Sequence, residues 1–131
     1  METMGEPLKI ERLKKRPEFL AAAKGQAVAR GAVVVQTLAR PETPDLIRAG
    51  FTATRKVGGA VVRNRAKRRL REAARQLLPL YGRQGFDYVF IARGGTADRS
   101  WLRLLDDMKS ALVSLAASQA PAASAPAAVS R

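Results

Sequence analysis

The stretch Phe51–Arg75, FTATRKVGGAVVRNRAKRRLREAAR, decides the reading of this chain. Its β-branched and aromatic start, the Gly58-Gly59 break and the long run after it predict a strand, a turn and a helix. It carries nine cations (Arg55, Lys56, Arg63, Arg65, Lys67, Arg68, Arg69, Arg71 and Arg75) against one acid, Glu72. That is eight of the chain's thirteen net positive charges. Crowding like charges destabilises an isolated protein, so the density argues for a polyanionic partner.

The helix is expected over 60–78. Val62, Ala66, Leu70, Ala73, Ala74, Leu77 and Leu78 recur at three and four, which makes one apolar stripe. Off it lie Arg65, Arg68, Arg69, Arg71 and Arg75, with Asn64 near the start. One side can therefore pack on a sheet while the other stays charged. Pro79 and Gly82 are expected to end the helix. The strand before it, over 48–56, alternates Phe51, Ala53 and Arg55 with Gly50, Thr52, Thr54 and Lys56. Its last turn should place one cation on each face.

On the N-terminal side, Pro17 and Glu18 suit the first turn of a helix over 17–24, closed by Gly25. Its apolar side is Phe19, Leu20 and Ala23. Phe19 either packs in the core or stands exposed for base stacking. Gly31 divides residues 26–40 into a short strand and a longer one around Val33–Val35, Thr37 and Leu38. On the C-terminal side, GFDYVFIAR over 85–93 is the clearest strand. Asp98 or Ser100 can cap a last helix whose stripe is Trp101, Leu104, Leu105, Met108, Leu112 and Leu115. The order helix, three strands, basic helix, strand, helix predicts a small two-layer α/β sandwich. Residues 1–7 are expected to be frayed, 8–115 to form one domain, and 116–131 to be a disordered Ala/Ser/Pro tail.

Composition removes several kinds of chemistry. With no cysteine and no histidine, disulfides, zinc sites on those ligands, and Cys or His nucleophiles and bases are excluded. Carboxylates could still hold Mg²⁺. The acids are scattered, and the adjacent Asp106 and Asp107 read as a solvated helix face. No phosphate-loop motif occurs. Protein-borne catalysis is therefore not expected. No apolar run approaches the roughly 20 residues that span a bilayer, and Met1–Pro7 lacks a signal-peptide core. A cytoplasmic location is expected.

A pI near 11.4 and a helix of arginine forks fit nucleic acid, held by paired contacts to phosphate oxygens. Asn64 can bond a base edge or a 2′-hydroxyl, or lock the turn entering the helix. Charge does not decide between DNA and RNA. No zipper or helix-turn-helix pair supplies the usual duplex-DNA context, and a basic helix on a small sheet suits folded RNA.

Arg63-Asn64-Arg65-x-Lys67-Arg68-x-x-Arg71-Glu72 resembles the R-N-R-x-K-R-x-x-R signature of the bacterial ribonuclease P protein component. Gly50–Gly58 looks like the strand leading into that signature, and Asp87–Arg93 like the strand following it. Arg12-Leu13-Lys14-Lys15 with Phe19 is similar to the family's opening, so the resemblance spans about residues 8–115. It implies an α/β sandwich whose basic helix lies in a left-handed βαβ crossover, against the usual hand. It also implies that a catalytic RNA, with Mg²⁺ held mainly by that RNA, cleaves precursor tRNA to form the mature 5′ end. The protein would bind that RNA and the precursor's 5′ leader. By position, Arg63, Asn64, Arg65, Lys67, Arg68 and Arg71 would contact the catalytic RNA. Phe19, Phe51, Arg55, Lys56 and Arg93 would line the leader cleft. Ala23 and Gln36 stand where relatives can carry aromatics, which leaves the cleft less aromatic. Neither a membrane nor a DNA partner is expected. The rival readings are a structural ribosomal RNA-binding protein and a DNA-binding regulator.

Overall fold

Alternating apolar positions along the central strands create two unlike sheet faces, and the helices divide between them. The computed structural model describes residues 9–118. In order these form β1 (Lys9–Arg12), α1 (Arg16–Ala23), β2 (Gln26–Arg30), β3 (Val33–Ala39), β4 (Leu46–Ala53), a 3₁₀ turn (Arg55–Val57), α2 (Ala60–Tyr81), β5 (Phe86–Ala92) and α3 (Trp101–Ser118). The sheet order is β1-β4-β5-β3-β2. β1 and β5 run parallel to β4, while β3 runs antiparallel to β5 and β2 to β3. The basic helix α2 thus joins the parallel neighbours β4 and β5, as a βαβ crossover requires.

The face carrying Val33, Val35, Ile47, Ala49, Tyr88 and Phe90 packs against α2 and α3. Leu70, Ala73, Ala74 and Leu78 of α2 and Leu104, Met108, Leu112 and Leu115 of α3 are buried there. This layer pair is the sandwich. On the opposite face α1 seals a smaller cluster of Leu13, Ala22 and Val89, with Phe19 and Ile91 against it. Gly50 is required at this contact: a Cβ there would come within 2.6 Å of the Phe19 ring.

The structure corrects six expectations. Sequence pattern assigns no element to residues 9–12, yet β1 is a four-residue edge strand in register with residues 46–49 of β4. β4 ends at Ala53, so Arg55 and Lys56 do not occupy its two faces. They lie in the 3₁₀ turn, whose Val57 N–H donates to Thr54 O at 3.0 Å. The chain must tighten there to reach Gly58, whose φ of +147° suits glycine alone. α2 runs past Pro79 to Tyr81. In the last turn Pro79 forfeits a single backbone bond, and the Gly82 N–H then closes on Leu78 O at 2.8 Å. Val62 is exposed rather than on the buried stripe.

The fifth correction concerns the carboxylate pair on α3. Asp106 is exposed, but Asp107 is buried. Its carboxylate accepts from the Ala32 N–H at 3.0 Å and from Arg99 Nε at 2.7 Å. It therefore ties α3 to the β2–β3 turn and to the loop before α3. Ser100, not Asp98, caps α3, accepting from the Arg103 N–H at 3.2 Å. α3 extends through residues 116–118, where the tail was expected to begin. The readings of 1–7 and of the rest of the tail lie outside the described residues.

Candidate nucleic-acid interface

Twenty-two residues of α2 put cations on every side that the core leaves open, but their surroundings sort them. Asn64, Arg65 and Arg68 are exposed, and Arg63, Lys67 and Arg71 are half-buried. Asn64, Arg68, Arg71 and Arg75 follow one another along one stripe of the helix, flanked by Lys67. Arg75 is held by Glu72 three residues back in an ion pair, which draws the Glu72 carboxyl below its ordinary range. Among the described residues Arg65, Lys67, Arg68 and Arg71 have no carboxylate partner. Arg63 has its Nε enclosed without a hydrogen-bond partner. All six residues named by the sequence motif thus lie along the first twelve residues of α2.

Arg69 stands apart. Its guanidinium donates to Thr96 O at 2.7 Å and to Arg99 O, and lies 5.8 Å from the Trp101 ring centroid. Desolvation, and then the neighbouring Arg65, lower its pKa. Helical spacing alone groups it with the free arginines, but its fork pins α2 to the β5–α3 loop. Replacing Arg69 by Met should cost about 1–3 kcal/mol of stability, the typical loss from two charge-assisted bonds. It should leave the salt dependence of RNA binding unchanged. Urea unfolding and a salt titration of RNA affinity check the two halves.

The second surface lies on the other side of the sheet. Beside α1 runs an open groove of about 390 Å³ lined by Lys14, Arg16, Phe19, Gln36, Phe51, Thr52, Val89 and Ile91. Phe19 reaches it from α1, while strand alternation brings Thr52, Val89, Ile91 and Gln36 to the floor. Gln36, paired with Val89 in the ladder, lies on the β3 side of that floor. Lys14 and Arg16 are groove cations that motif reasoning left out of the site. Their signal was their place immediately before Phe19.

Three other residues expected to line a leader cleft fall elsewhere. Arg55, Lys56 and Arg93 are exposed and follow the paired ends of β4 and β5 at Ala53 and Ala92. They form a basic margin at one end of the sheet, outside the groove's walls. Arg93 also reaches Gly31 O at 3.4 Å. Phe51 touches the groove, but its ring belongs to the α2 layer. It stacks on Phe90 at 5.4 Å, because Phe51 shares the face of Ala49 and Ala53.

An ion network fixes α1 near the groove. Arg48 on β4 grips Asp87 on β5 with both ends of its fork, Nε to Oδ1 at 2.8 Å and Nη2 to Oδ2 at 2.7 Å. Its Nη1 donates to Glu18 of α1 at 2.9 Å. Asp87 is 1% exposed, and its bonds raise the Arg48 pKa. Glu18 also caps α1 by accepting from the Lys15 and Lys14 N–H groups.

The family described as Ribonuclease P matches residues 8–116. A ribonuclease P protein component of Caulobacter vibrioides is 66% identical over 110 residues, covering 84% of this chain and 74% of the relative. The solved ribonuclease P protein of Staphylococcus aureus is similar in fold, with a TM-score of 0.66 and 30% identity over 77% of this chain and 91% of that one. That of Thermotoga maritima gives a TM-score of 0.67 at 27% identity, over 79% and 96%.

Proposed function

The chain belongs to the ribonuclease P protein family, and from that premise we propose that α2 docks on the catalytic RNA while the groove beside α1 holds the 5′ leader of precursor tRNA. Membership makes it the protein part of an endoribonuclease holoenzyme with an RNA subunit as partner. One observation carries the finer reading. The unpaired cations of α2 and the groove with Phe19 lie on opposite faces of one sheet, so two RNA segments can be held at once.

The protein's work is then electrostatic and positional. Arg65, Lys67, Arg68 and Arg71 offset repulsion between phosphates of the catalytic RNA. Lys14 and Arg16 attract the leader backbone, and the Phe19 ring offers a base a stacking surface. Mature tRNA lacks a leader, so product should bind more weakly than substrate. Cleavage of the leader forms the mature 5′ end, and we assign the Mg²⁺ that this chemistry uses to the RNA. Among the described residues no three metal-ligating side chains gather, and both Asp87 oxygens are already bonded to Arg48. No helix of the described residues is long and apolar enough to cross a membrane, and the cytoplasm is the compartment proposed.

The test is Phe19→Ala in the assembled holoenzyme. Precursor affinity should fall about thirtyfold, the middle of the range of about 1–3 kcal/mol for a lost base stack, while mature tRNA affinity stays the same. An equal fall for both RNAs would make Phe19 only a packing residue of the small cluster around Leu13 and Val89.

A further inference from the structure

A second concavity lies on the α2 side of the sheet, between α2 and the edge strand β1. It has a volume of about 340 Å³ and is open to solvent. Its floor is apolar: Ile10, Ala49, Phe51, Ala74 and Leu78. Its rim is basic, with Arg12 on β1 facing Arg68, Arg71 and Arg75 on α2, accompanied by Glu11 and Glu72. Glu72 is already taken by Arg75. The Arg12 guanidinium sits 5.9 Å from the Phe51 ring centroid. Ile10 is 38% exposed, so part of this apolar floor faces water.

We propose that this groove receives one unpaired base of the catalytic RNA, with the flanking phosphates held by Arg68 and Arg71. The inference rests on the proposed docking of α2 and goes beyond it by naming what the helix docks around. Regular duplex presents phosphates, 2′-hydroxyls and polar base edges and keeps its base faces stacked, so it cannot cover an apolar floor. An unstacked base can, because it has an apolar face and a phosphate on either side. Charge complementarity selects the same ligand. Arg68 and Arg71 belong both to the rim and to the row of unpaired cations along α2, so one strand could follow that row and drop a base into the slot. Arg12, poised over Phe51, is the natural stacking partner through its planar guanidinium. β1 gains a role here that its length and exposure do not otherwise supply: it forms the groove's outer wall.

The experiment places a benzophenone side chain at position 10 in place of Ile10 and irradiates the full-length protein assembled with the catalytic RNA. A matched protein carries the same group at position 102 on α3, where Leu102 is 77% exposed. The expected result is a cross-link from position 10 to one unpaired nucleotide of the RNA, with no such product from position 102. Arg12→Ala should lower RNA affinity about fivefold, in the range of a partly desolvated cation–π contact. Cross-linking to a second protein copy, to the chain's own termini or to a paired RNA segment would overturn the proposal, as would no RNA product above the control. The same samples are assayed for stimulation of 5′ cleavage. Stimulation without the cross-link defeats the groove alone, while failure of every sample to bind the RNA defeats the docking of α2 as well.

Discussion

Arg48→Ala should destabilise the fold by about 3 kcal/mol, the lower end of the cost of stripping one partner from a buried ion pair. For a domain of this size that is a fall in Tm of roughly 10–20 °C. The Asp87 carboxylate would remain at the centre of the sheet with both close bonds gone. Only the longer contact to Arg40 Nε, at 3.7 Å, would remain. The same change releases Glu18 and with it the anchor of α1. Precursor binding should therefore weaken even at temperatures where the variant stays folded. A pH series separates the two contributions. The Lys15 N–H, followed by that of Lys14 and by Arg48, holds the Glu18 carboxyl below its ordinary range despite partial desolvation. Its folded pKa thus lies under the unfolded one. The stability it contributes is complete above the unfolded value and is lost as pH falls through the folded value. Glu18→Gln should remove that part of the acid limb from a plot of stability against pH.

The second large effect is on RNA affinity. Arg65→Ala/Arg68→Ala removes two exposed cations that no carboxylate of the described residues pairs. Stability should change little, since substitutions away from packing and bonds usually stay within about 0.5 kcal/mol. The slope of log affinity against log salt should flatten by about 1.4–1.8, or 0.7–0.9 for each phosphate no longer neutralised. Between about 50 and 200 mM salt, the double variant's affinity should therefore vary roughly tenfold less than the parent's. An unchanged slope would mean that these arginines do not face phosphates.

How much of this was legible in the sequence depends on which residues decide each feature. The α2 stripe was readable because Leu70, Ala74 and Leu77 recur at helical spacing. β5 was readable because seven residues from Phe86 to Ala92 are mostly aromatic or β-branched. β1 was not readable: Lys9–Arg12 is short, exposed throughout, and a strand only because β4 offers it an edge. What separates Arg69 from Arg65 is a pair of loop carbonyls 27 and 30 residues further along the chain, which helical spacing cannot register. Asp107 did leave a signal. It falls three residues after Leu104 and four before Ala111, inside the buried stripe, and its partner Arg99 lies eight residues upstream. The six motif residues share one helix, so their spacing alone brings them together. The groove draws on α1, β3, β4 and β5, and its contents follow from register. Motif reasoning therefore placed Phe19 at the groove but missed Lys14 and Arg16. Of the other residues it named, Phe51 touches the groove while its ring packs in the α2 layer, and Arg55, Lys56 and Arg93 lie at the sheet's end.

The most direct test of the account adds the purified protein to the catalytic RNA and precursor tRNA at low Mg²⁺ and follows release of the 5′ leader. The protein should stimulate cleavage at the mature 5′ end and cleave nothing when the RNA is left out. No stimulation, or cleavage by the protein alone, would contradict it.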